Sequence, residues 1–255
     1  MLILMIGDVI GKPGRQAVQK LLPGLRQQYK LDMVIANAEN AAGGLGLTLT
    51  TAEELLEAGV DVLTSGNHIW DRREIIPYLD EDIPILRPLN YPPGVPGKGY
   101  ITKGKALVVN LIGRTFIGNF DCPFRAMDQL LSELKDRQPV IIVDFHAEAT
   151  SEKMAMGRYL DGRVSATLGT HTHIGTIDAR LLPQGTAYIT DIGMTGPIDS
   201  VIGDDTESVL RRFLTMMPHR LSVGTGKTIF NAVLVGIDDE SGKAISIERI
   251  DREVE

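Results

Sequence analysis

Short runs of apolar residues alternate with amphipathic stretches along most of the chain. Several runs contain almost no polar residue, which is typical of strands that are covered on both faces of a parallel sheet. The C-terminal runs alternate apolar and polar residues, as antiparallel strands with one wetter face do. The predicted strands are residues 2–6, 33–36, 60–63, 106–112, 140–143, 164–168, 187–190, 229–236 and 244–250.

Helices are predicted between these strands. We expect Pro23-Gly24 to break or kink the first of them. A capping-box spacing from Thr51 to Glu54 predicts another helix start. The predicted helices are residues 16–22, 25–29, 51–58, 72–79, 127–134 and 151–160. This alternation predicts a layered α/β fold, and since no linker separates two halves, we expect a single domain over residues 1–255.

Composition narrows the class of protein. The chain has 255 residues, 43% hydrophobic content and a net charge of −7, and this acidic balance argues against binding extended duplex nucleic acid. The single cysteine, Cys122, excludes a disulfide scaffold and a cysteine-rich metal site. The apolar N-terminal run ends before Gly7, too early for a signal peptide or a membrane span. We therefore expect a cytoplasmic, soluble protein of the size of an enzyme, with no membrane partner.

Polar residues follow five of the predicted strands, at the point where each strand ends. Because the carboxyl ends of parallel strands share one edge of a sheet, these side chains are expected to converge there. Four of the five histidines lie in these segments, and His219 is the exception. The segments are Gly7-Asp8, Asn37-Ala-Glu39-Asn40, Gly66-Asn67-His68, Asp144-Phe-His146-Ala-Glu148 and Gly169-Thr-His171-Thr-His173.

The residues of these segments differ in how specifically they indicate a metal site. Taken singly, Asp8 fits a turn or helix cap, Asn67 a turn, and His146 a hydrogen-bonded core position. His171 and His173 are more telling, because alternate residues of an extended backbone point to the same side. Mixed carboxylate, imidazole and amide ligands suit Fe, Mn or Zn. Their number exceeds that of a typical single-zinc site and predicts two ions that share a carboxylate.

Together these motifs resemble the signature of the calcineurin-like metallophosphoesterases. The segments GDVIGKPGR (7–15) and NAEN (37–40) resemble, more narrowly, the YmdB-type bacterial branch, and the similarity extends over essentially the whole chain. In the wider superfamily the first motif is Asp-x-His, whereas Ile10 stands here, and Glu39 replaces the usual bridging Asp. The YmdB-type branch shares both changes. The resemblance implies an α/β/β/α sandwich with mixed sheets and flanking helices.

The resemblance also implies a ligand set. It assigns one metal to Asp8, Glu39, Asn40 and His173, and the second to Glu39, Asn67, His146 and His171. In this assignment Asn40 replaces the missing imidazole ligand. Iron is the favoured metal, with manganese second.

The activity implied by the resemblance is a phosphodiesterase that acts on cyclic nucleotides, particularly 2′,3′-cyclic ones. Our hypothesis is two-metal hydrolysis, in which a metal-bridging hydroxide attacks phosphorus. His68 directly follows the ligand Asn67 and is the candidate proton donor to the leaving oxygen. Asp71, three residues later, is a candidate to orient His68.

Two alternatives stay open. The same metal site fits a nuclease acting on RNA or DNA, for which Arg211-Arg212 offers a local basic rim. It also fits a metal-binding regulatory protein with weak catalysis, which the missing imidazole at Ile10 favours and the presence of His68 opposes. A P-loop is not indicated, because the segment from Gly224 to Thr228 runs into a strand-like sequence and reads as a turn. A homo-oligomer is compatible with the sequence.

Overall fold

A computed structural model describes residues 1–134 and 140–254. The strands, in chain order, are β1 (Leu2–Ile6), β2 (Asp8–Val9), β3 (Met33–Asn37), β4 (Val62–Thr64), β5 (Tyr100–Lys103), β6 (Ala106–Ile112), β7 (Val140–His146), β8 (Ala166–Thr170), β9 (Arg180–Leu181), β10 (Ala187–Ile189), β11 (Met194–Pro197), β12 (Thr228–Ile237) and β13 (Ala244–Val254). The helices are α1 (Gly11–Tyr29), α2 (Leu49–Glu57), α3 (Pro123–Glu133), α4 (Thr150–Leu160) and α5 (Thr206–Thr215), with a 3-10 helix at Arg73–Tyr78.

The described strands form two mixed sheets. The first has the order β2-β11-β12-β1-β3-β4, with β13 also paired to β12. Its strands β1, β3 and β4 are parallel, whereas β12 runs antiparallel to β1. The second sheet has the order β5-β6-β7-β8-β10-β9, with β6, β7, β8 and β10 parallel. The parallel strands of each sheet bring their carboxyl ends to one edge.

The two sheets pack face to face, and helices cover both outer faces. Along β1, Leu4 and Ile6 pack with the layer that contains α1 and α2, whereas Ile3 and Met5 pack with apolar residues of the second sheet. The outer face of the second sheet packs with residues of α3 and α4, Met127 among them. This double coverage explains the apolar runs, and the predicted α/β/β/α sandwich is confirmed.

Two local predictions about helices were wrong. Residues 16–22 and 25–29, predicted as two helices with a break or kink between them, form one helix, α1, because Val18, Leu22 and Leu25 keep one buried face on both sides of Pro23. Packing of that face outweighs the hydrogen bond that proline removes. The second error concerns the start of α2.

The capping box of α2 lies one turn earlier than predicted. The N-cap is Thr48, whose hydroxyl accepts a hydrogen bond from the backbone N–H of Thr51 at 3.2 Å. The hydroxyl of Thr51 in turn accepts from the N–H of Thr48 at 3.0 Å. A second threonine in the first turn can serve as N3, so Thr51 lies inside the helix that it was predicted to cap.

Residues 198–227, here called the β11–β12 segment, leave the first sheet and return to it. The segment contains α5, which the sequence did not predict. Asp205 caps this helix by accepting from the N–H of Ser208 at 2.9 Å. Much of the helix's apolar surface is exposed, Phe213 and Leu214 included, so the usual contrast between a buried and a solvated face is weak. At the end of this segment Gly226 forms a bend and Thr228 begins β12, so no helix follows the glycines.

Within the described residues, no helix has the length and apolar character that crossing a bilayer requires.

Candidate metal centre

The seven predicted ligands lie together where the two sheets meet at the carboxyl ends of their parallel strands. The first sheet supplies carboxylates and amides, and the second supplies imidazoles. Asp8 begins β2, Glu39 and Asn40 follow β3, Asn67 follows β4, His146 ends β7, and His171 and His173 follow β8.

One group of ligand atoms surrounds the Nε2 atom of His146. The Oε1 atom of Glu39 lies 3.0 Å from it, the Oδ1 atom of Asn67 lies 3.1 Å from it, and the Nδ1 atom of His171 lies 3.0 Å from it. Ligand atoms of Glu39, His146 and His171 all fall within 4.8 Å of one another. These are the residues that the resemblance assigns to the second metal.

A second group adjoins the first. The Nε2 atom of His173 lies 3.8 Å from Oδ1 of Asp8 and 3.3 Å from the side-chain amide of Asn40. Oδ2 of Asp8 accepts a hydrogen bond from the backbone N–H of His171 at 3.1 Å, but Oδ1 is buried with no hydrogen-bond partner. A buried carboxylate oxygen without a partner is costly, and a cation removes that cost.

The donor atoms fit metal ions. Two imidazole nitrogens face each other at 3.0 Å, beside a carboxylate oxygen and an amide oxygen. Such a set of lone pairs is stable only with a proton or a cation among them. Mixed nitrogen and oxygen ligands are the type that Fe, Mn and Zn accept.

The metal-free ligands influence one another's charge. Burial alone would raise the pKa of Glu39, but the charge and hydrogen bond of His146 lower it to about 2. Burial alone would lower the pKa of His146, but the carboxylates of Glu39 and Asp8 raise it to about 9. Burial and the charge of His146 lower the pKa of His171 to about 2. With no ion bound, these shifts favour a proton on His146 and disfavour a second positive charge on His171.

Groups behind His146 turn its Nε2 atom toward the cluster. Its Nδ1 atom lies 3.0 Å from the hydroxyl of Thr170, and that hydroxyl donates to Asp144 at 2.7 Å. The hydroxyl therefore accepts from Nδ1–H, which leaves Nε2 to act as a ligand. Burial raises the pKa of Asp144 to about 6, so this carboxylate is ionised at neutral pH.

The other two imidazoles are oriented in the same way. Nε2 of His171 lies 3.0 Å from a carboxylate oxygen of Glu148, which leaves Nδ1 facing the cluster. Nδ1 of His173 donates to the backbone carbonyl of Ile202 at 2.6 Å, which leaves Nε2 facing Asp8. Each histidine thus has one ring nitrogen held by a hydrogen-bond partner behind it and turns the other toward the cluster.

The loop after β8 differs from the extended backbone that the sequence suggested. His171 has a φ of 101° and His173 a φ of 65°, so both lie in the left-handed region. The two side chains converge because of this loop and not because of strand alternation. Such a conformation persists only where the surroundings impose it.

A buried ion pair holds this loop. The Nζ atom of Lys153 donates to Oδ2 of Asp191 at 2.6 Å and to the backbone carbonyl of Thr170 at 2.7 Å. The same carboxylate oxygen accepts from the N–H and the hydroxyl of Thr172 at 3.1 and 2.8 Å. Lys153 and Asp191 are both buried, and we call them the Lys153–Asp191 pair. The pair binds the residues on either side of His171.

His68 lies beside the cluster and contacts one ligand through its backbone. Its N–H donates to Oε2 of Glu39 at 2.9 Å. Its Nδ1 atom lies 2.6 Å from Oδ2 of Asp71, as the sequence suggested for an orienting acid. Among the described residues, nothing hydrogen-bonds its Nε2 atom, which is therefore free to meet a ligand.

The cluster opens into a cavity of about 710 Å³, a size typical of small-molecule sites. Glu39, Asn40, His68, His171 and His173 form one part of its wall. The β11–β12 segment adds another part, which includes Arg212, His219, Arg220 and the apolar side chains of Ile202 and Leu221.

Sequence reasoning missed the residues that orient the ligands. Asp144 and Glu148 stand two residues on either side of His146, a spacing that offered a signal. Lys153 lies within α4, and Asp191 lies between β10 and β11; neither position carries a comparable pattern. His219 was set aside because it follows no strand, yet it lines the cavity.

Comparison with known proteins extends this resemblance over the chain. A family model described as YmdB-like protein matches residues 4–250. The 2′,3′-cyclic-nucleotide 2′-phosphodiesterase of Bacillus subtilis (strain 168) is 51% identical over 254 residues, which cover 98% of this chain and 96% of the relative.

Solved structures show the same fold. A hypothetical protein from Thermus thermophilus superposes with a TM-score of 0.93 at 48% identity, covering 99% of both chains. A novel phosphatase from Mycoplasma pneumoniae superposes with a TM-score of 0.93 at 36% identity, covering 99% of this chain and 93% of the other. Both sheets, and the edge where the cluster lies, fall within the superposed regions.

Proposed function

The chain belongs to the YmdB-like family of calcineurin-like metallophosphoesterases, and on that premise we propose that it is a two-metal phosphodiesterase. Its proposed substrates are 2′,3′-cyclic nucleotides, whose cyclic phosphate it opens with His68 as the proton donor. The observation that carries this proposal is the convergence of nitrogen and oxygen lone pairs around Nε2 of His146. The substrate class follows the name of the B. subtilis relative. We also propose that residues 1–255 act as one domain, because β1 pairs with both β3 and β12.

The proposed ligands fall into two sets that share Glu39. Bound ions would neutralise charge on the phosphoryl oxygens and make a water molecule more acidic. Iron is the favoured metal and manganese the second, in keeping with the mixed donor set. The proposed sets are Asp8, Glu39, Asn40 and His173 for one ion, and Glu39, Asn67, His146 and His171 for the other.

His68 supplies the proton that the leaving oxygen needs. In the proposed reaction, water adds to phosphorus, the bond from phosphorus to O2′ breaks, and a 3′-phosphate remains. The O2′ atom leaves as a strongly basic alkoxide unless it is protonated as the bond breaks. Nε2–H of His68 donates that proton, and Asp71 acts as a positioning residue through its 2.6 Å contact with Nδ1.

The proton-donor role is tested with His68→Gln and two substrates. One is adenosine 2′,3′-cyclic phosphate, and the other is bis(p-nitrophenyl) phosphate, whose leaving group needs no proton. We expect kcat/KM to fall about 10²–10⁴-fold on the cyclic nucleotide and far less on the aryl diester. Bound metal, measured by elemental analysis, should be unchanged.

A ligand variant is the matched control. His173→Gln should lose metal and lose activity on both substrates to the same degree. An equal loss of both activities in His68→Gln, or a loss of its metal, contradicts the proton-donor role. If the iron- or manganese-loaded wild-type protein leaves the cyclic nucleotide intact, the proposed activity itself is refuted.

A further inference from the structure

The β11–β12 segment places cationic side chains in the wall of the cavity. The proposed reaction gives these side chains no role. Arg212 of α5 and Arg220 of the following loop line the same cavity as Glu39 and His171. His219 lies beside Arg220 and lines it too. Both arginines are exposed, so their guanidinium groups are open to a ligand that enters from solvent.

The two guanidinium groups have no ion-pair or hydrogen-bond partner among the described residues. In the part of the chain that the structure describes, neither Arg212 nor Arg220 forms an ion pair within 4.0 Å or a side-chain hydrogen bond. Arg72 lines the cavity as well, but its guanidinium donates to the backbone carbonyls of Leu45 and Ala42.

The carboxylates of the cavity wall leave the two arginines largely unopposed. Asp71 contacts His68 at 2.6 Å, and Glu148 contacts His171 at 3.0 Å. Asp204 is near enough to Arg212 to interact electrostatically but not to form an ion pair. An anion that binds Arg212 and Arg220 therefore competes with few carboxylates of the cavity wall for their guanidinium groups.

The segment that carries these arginines is tied to the metal ligands. The carbonyl of Ile202 accepts from His173, as described above. The side chain of Val223 packs directly against Gly11 and Gly44, where an added Cβ would lie 2.9 and 2.8 Å from it. The segment is thus anchored both before α5 and after Arg220. This anchoring limits where Arg212 and Arg220 can lie relative to the cluster.

A 2′,3′-cyclic nucleoside phosphate has a single phosphate, which the proposed reaction places at the metal ligands. O5′ is the remaining sugar oxygen that can carry a second one. We propose that Arg212 and Arg220 bind a second phosphate on the 5′ side of the nucleoside, so that the preferred substrate is a 2′,3′-cyclic phosphate bearing a 5′-phosphate or a preceding nucleotide. This inference rests on the proposed function.

Arginine suits this role because its planar guanidinium pairs with two phosphate oxygens at once. Two such groups match one or two phosphates, not an extended strand, and the net charge of −7 also disfavours long nucleic acid. The ligand is therefore a short 5′ extension of the cyclic nucleotide.

The test compares kcat/KM for three substrates at low salt. They are adenosine 2′,3′-cyclic phosphate, its 5′-phosphorylated form, and the dinucleotide ApA that ends in a 2′,3′-cyclic phosphate. We expect kcat/KM for at least one of the two substrates with a second phosphate to exceed that for adenosine 2′,3′-cyclic phosphate about tenfold or more, because of charge-assisted hydrogen bonds to the arginines. The double variant Arg212→Gln/Arg220→Gln should remove most of this preference, and added salt should weaken it.

Arg211→Gln is the matched control, because Arg211 adjoins Arg212 on α5 but does not line the cavity. It should retain the substrate preference. Preference for the 5′-phosphorylated form alone identifies a mononucleotide, and preference for the dinucleotide identifies an RNA end; both support the proposal. Equal rates on all three substrates, or an equal loss on all three in the double variant, overturn it. No hydrolysis of any of them refutes the proposed function instead.

Discussion

His146 is a proposed metal ligand whose pKa is raised by its neighbours. Burial alone would lower its pKa, but the carboxylates of Glu39 and Asp8 outweigh burial and raise the pKa from 6.5 to about 9 when no ion is bound. At neutral pH its Nε2 atom therefore holds a proton at the place proposed for a metal. An ion has to displace that proton in order to bind.

We predict that metal binding at pH 7 releases about one proton from His146, because the pH lies well below the folded-state pKa. Apparent affinity should rise about tenfold per pH unit and level off as the pH approaches 9. Titration calorimetry with manganese, in buffers of different protonation enthalpy, measures the release. The same titration near pH 9 is the control, since less proton should be released there. An affinity that does not change between pH 6 and 8 contradicts the prediction.

At the residue scale, sequence position predicted the ligand candidates but not how they are oriented. Each candidate follows a strand, and strand ends can be located from apolar runs. The spacing of Asp144 and Glu148 around His146 marks them as polar neighbours, but their contacts with Thr170 and His171 join elements distant in sequence and are not visible in a single sequence. The sequence predicted that His171 and His173 face the same site because they alternate on an extended backbone. They do lie at one site, but both have a positive φ, so the backbone there is not extended.

At the scale of elements, the Lys153–Asp191 pair connects α4 to the loop after β8. The charge of Lys153 is wholly buried, so its removal leaves the carboxylate of Asp191 without a cation. Breaking a buried pair in this way is far more costly than breaking a surface pair. The loop loses an anchor at the same time, since Lys153 also holds the carbonyl of Thr170.

We predict that Lys153→Met lowers the free energy of unfolding by about 3–5 kcal/mol. It should also weaken metal binding, because the loop no longer fixes His171 and His173. Denaturant unfolding and a metal-competition assay measure the two effects. Asp191→Asn, which keeps an acceptor oxygen, should give a smaller effect of the same kind.

Lys103→Met is the control for this prediction, because Lys103 is an exposed residue of β5. It should change stability by less than about 0.5 kcal/mol and leave metal binding intact. If Lys153→Met behaves like Lys103→Met in both assays, the positioning role is wrong.

Most strands were predicted because apolar runs mark them, whereas the elements missed or misplaced depend on tertiary contacts. Helix α5 was missed although Val209, Leu210, Phe213 and Leu214 recur at helical spacing, and in the fold Phe213 and Leu214 of this apolar stripe are exposed. The break expected at Pro23 failed because a continuous buried face spans that residue. Local preference alone does not decide such cases.

At the scale of the whole molecule, the cluster joins the two sheets. Asp8, Glu39 and Asn67 belong to the first sheet or follow its strands, whereas His146 ends a strand of the second sheet and His171 follows one. An ion held by both groups links the sheets at one edge. Binding to the folded state alone stabilises it by mass action.

We predict that the melting temperature rises with manganese concentration and falls on treatment with a chelator. At a hundredfold excess over Kd the gain is about 2.7 kcal/mol for one site. Differential scanning calorimetry measures the shift. His68→Gln should show the full shift because it keeps every proposed ligand, and His173→Gln should show less. Equal melting temperatures with and without metal contradict the proposed link.

The pairing of β1 with β12 has a consequence for synthesis on the ribosome. Leu2 pairs with Gly236 and Ile6 with Ala232, so β1 is synthesised long before the strand with which it pairs. At about 5–20 residues per second, that wait is on the order of 10–50 seconds. Throughout it, one hydrogen-bonding edge of β1 is open to pairing with other chains, so slow synthesis should increase aggregation of the nascent polypeptide.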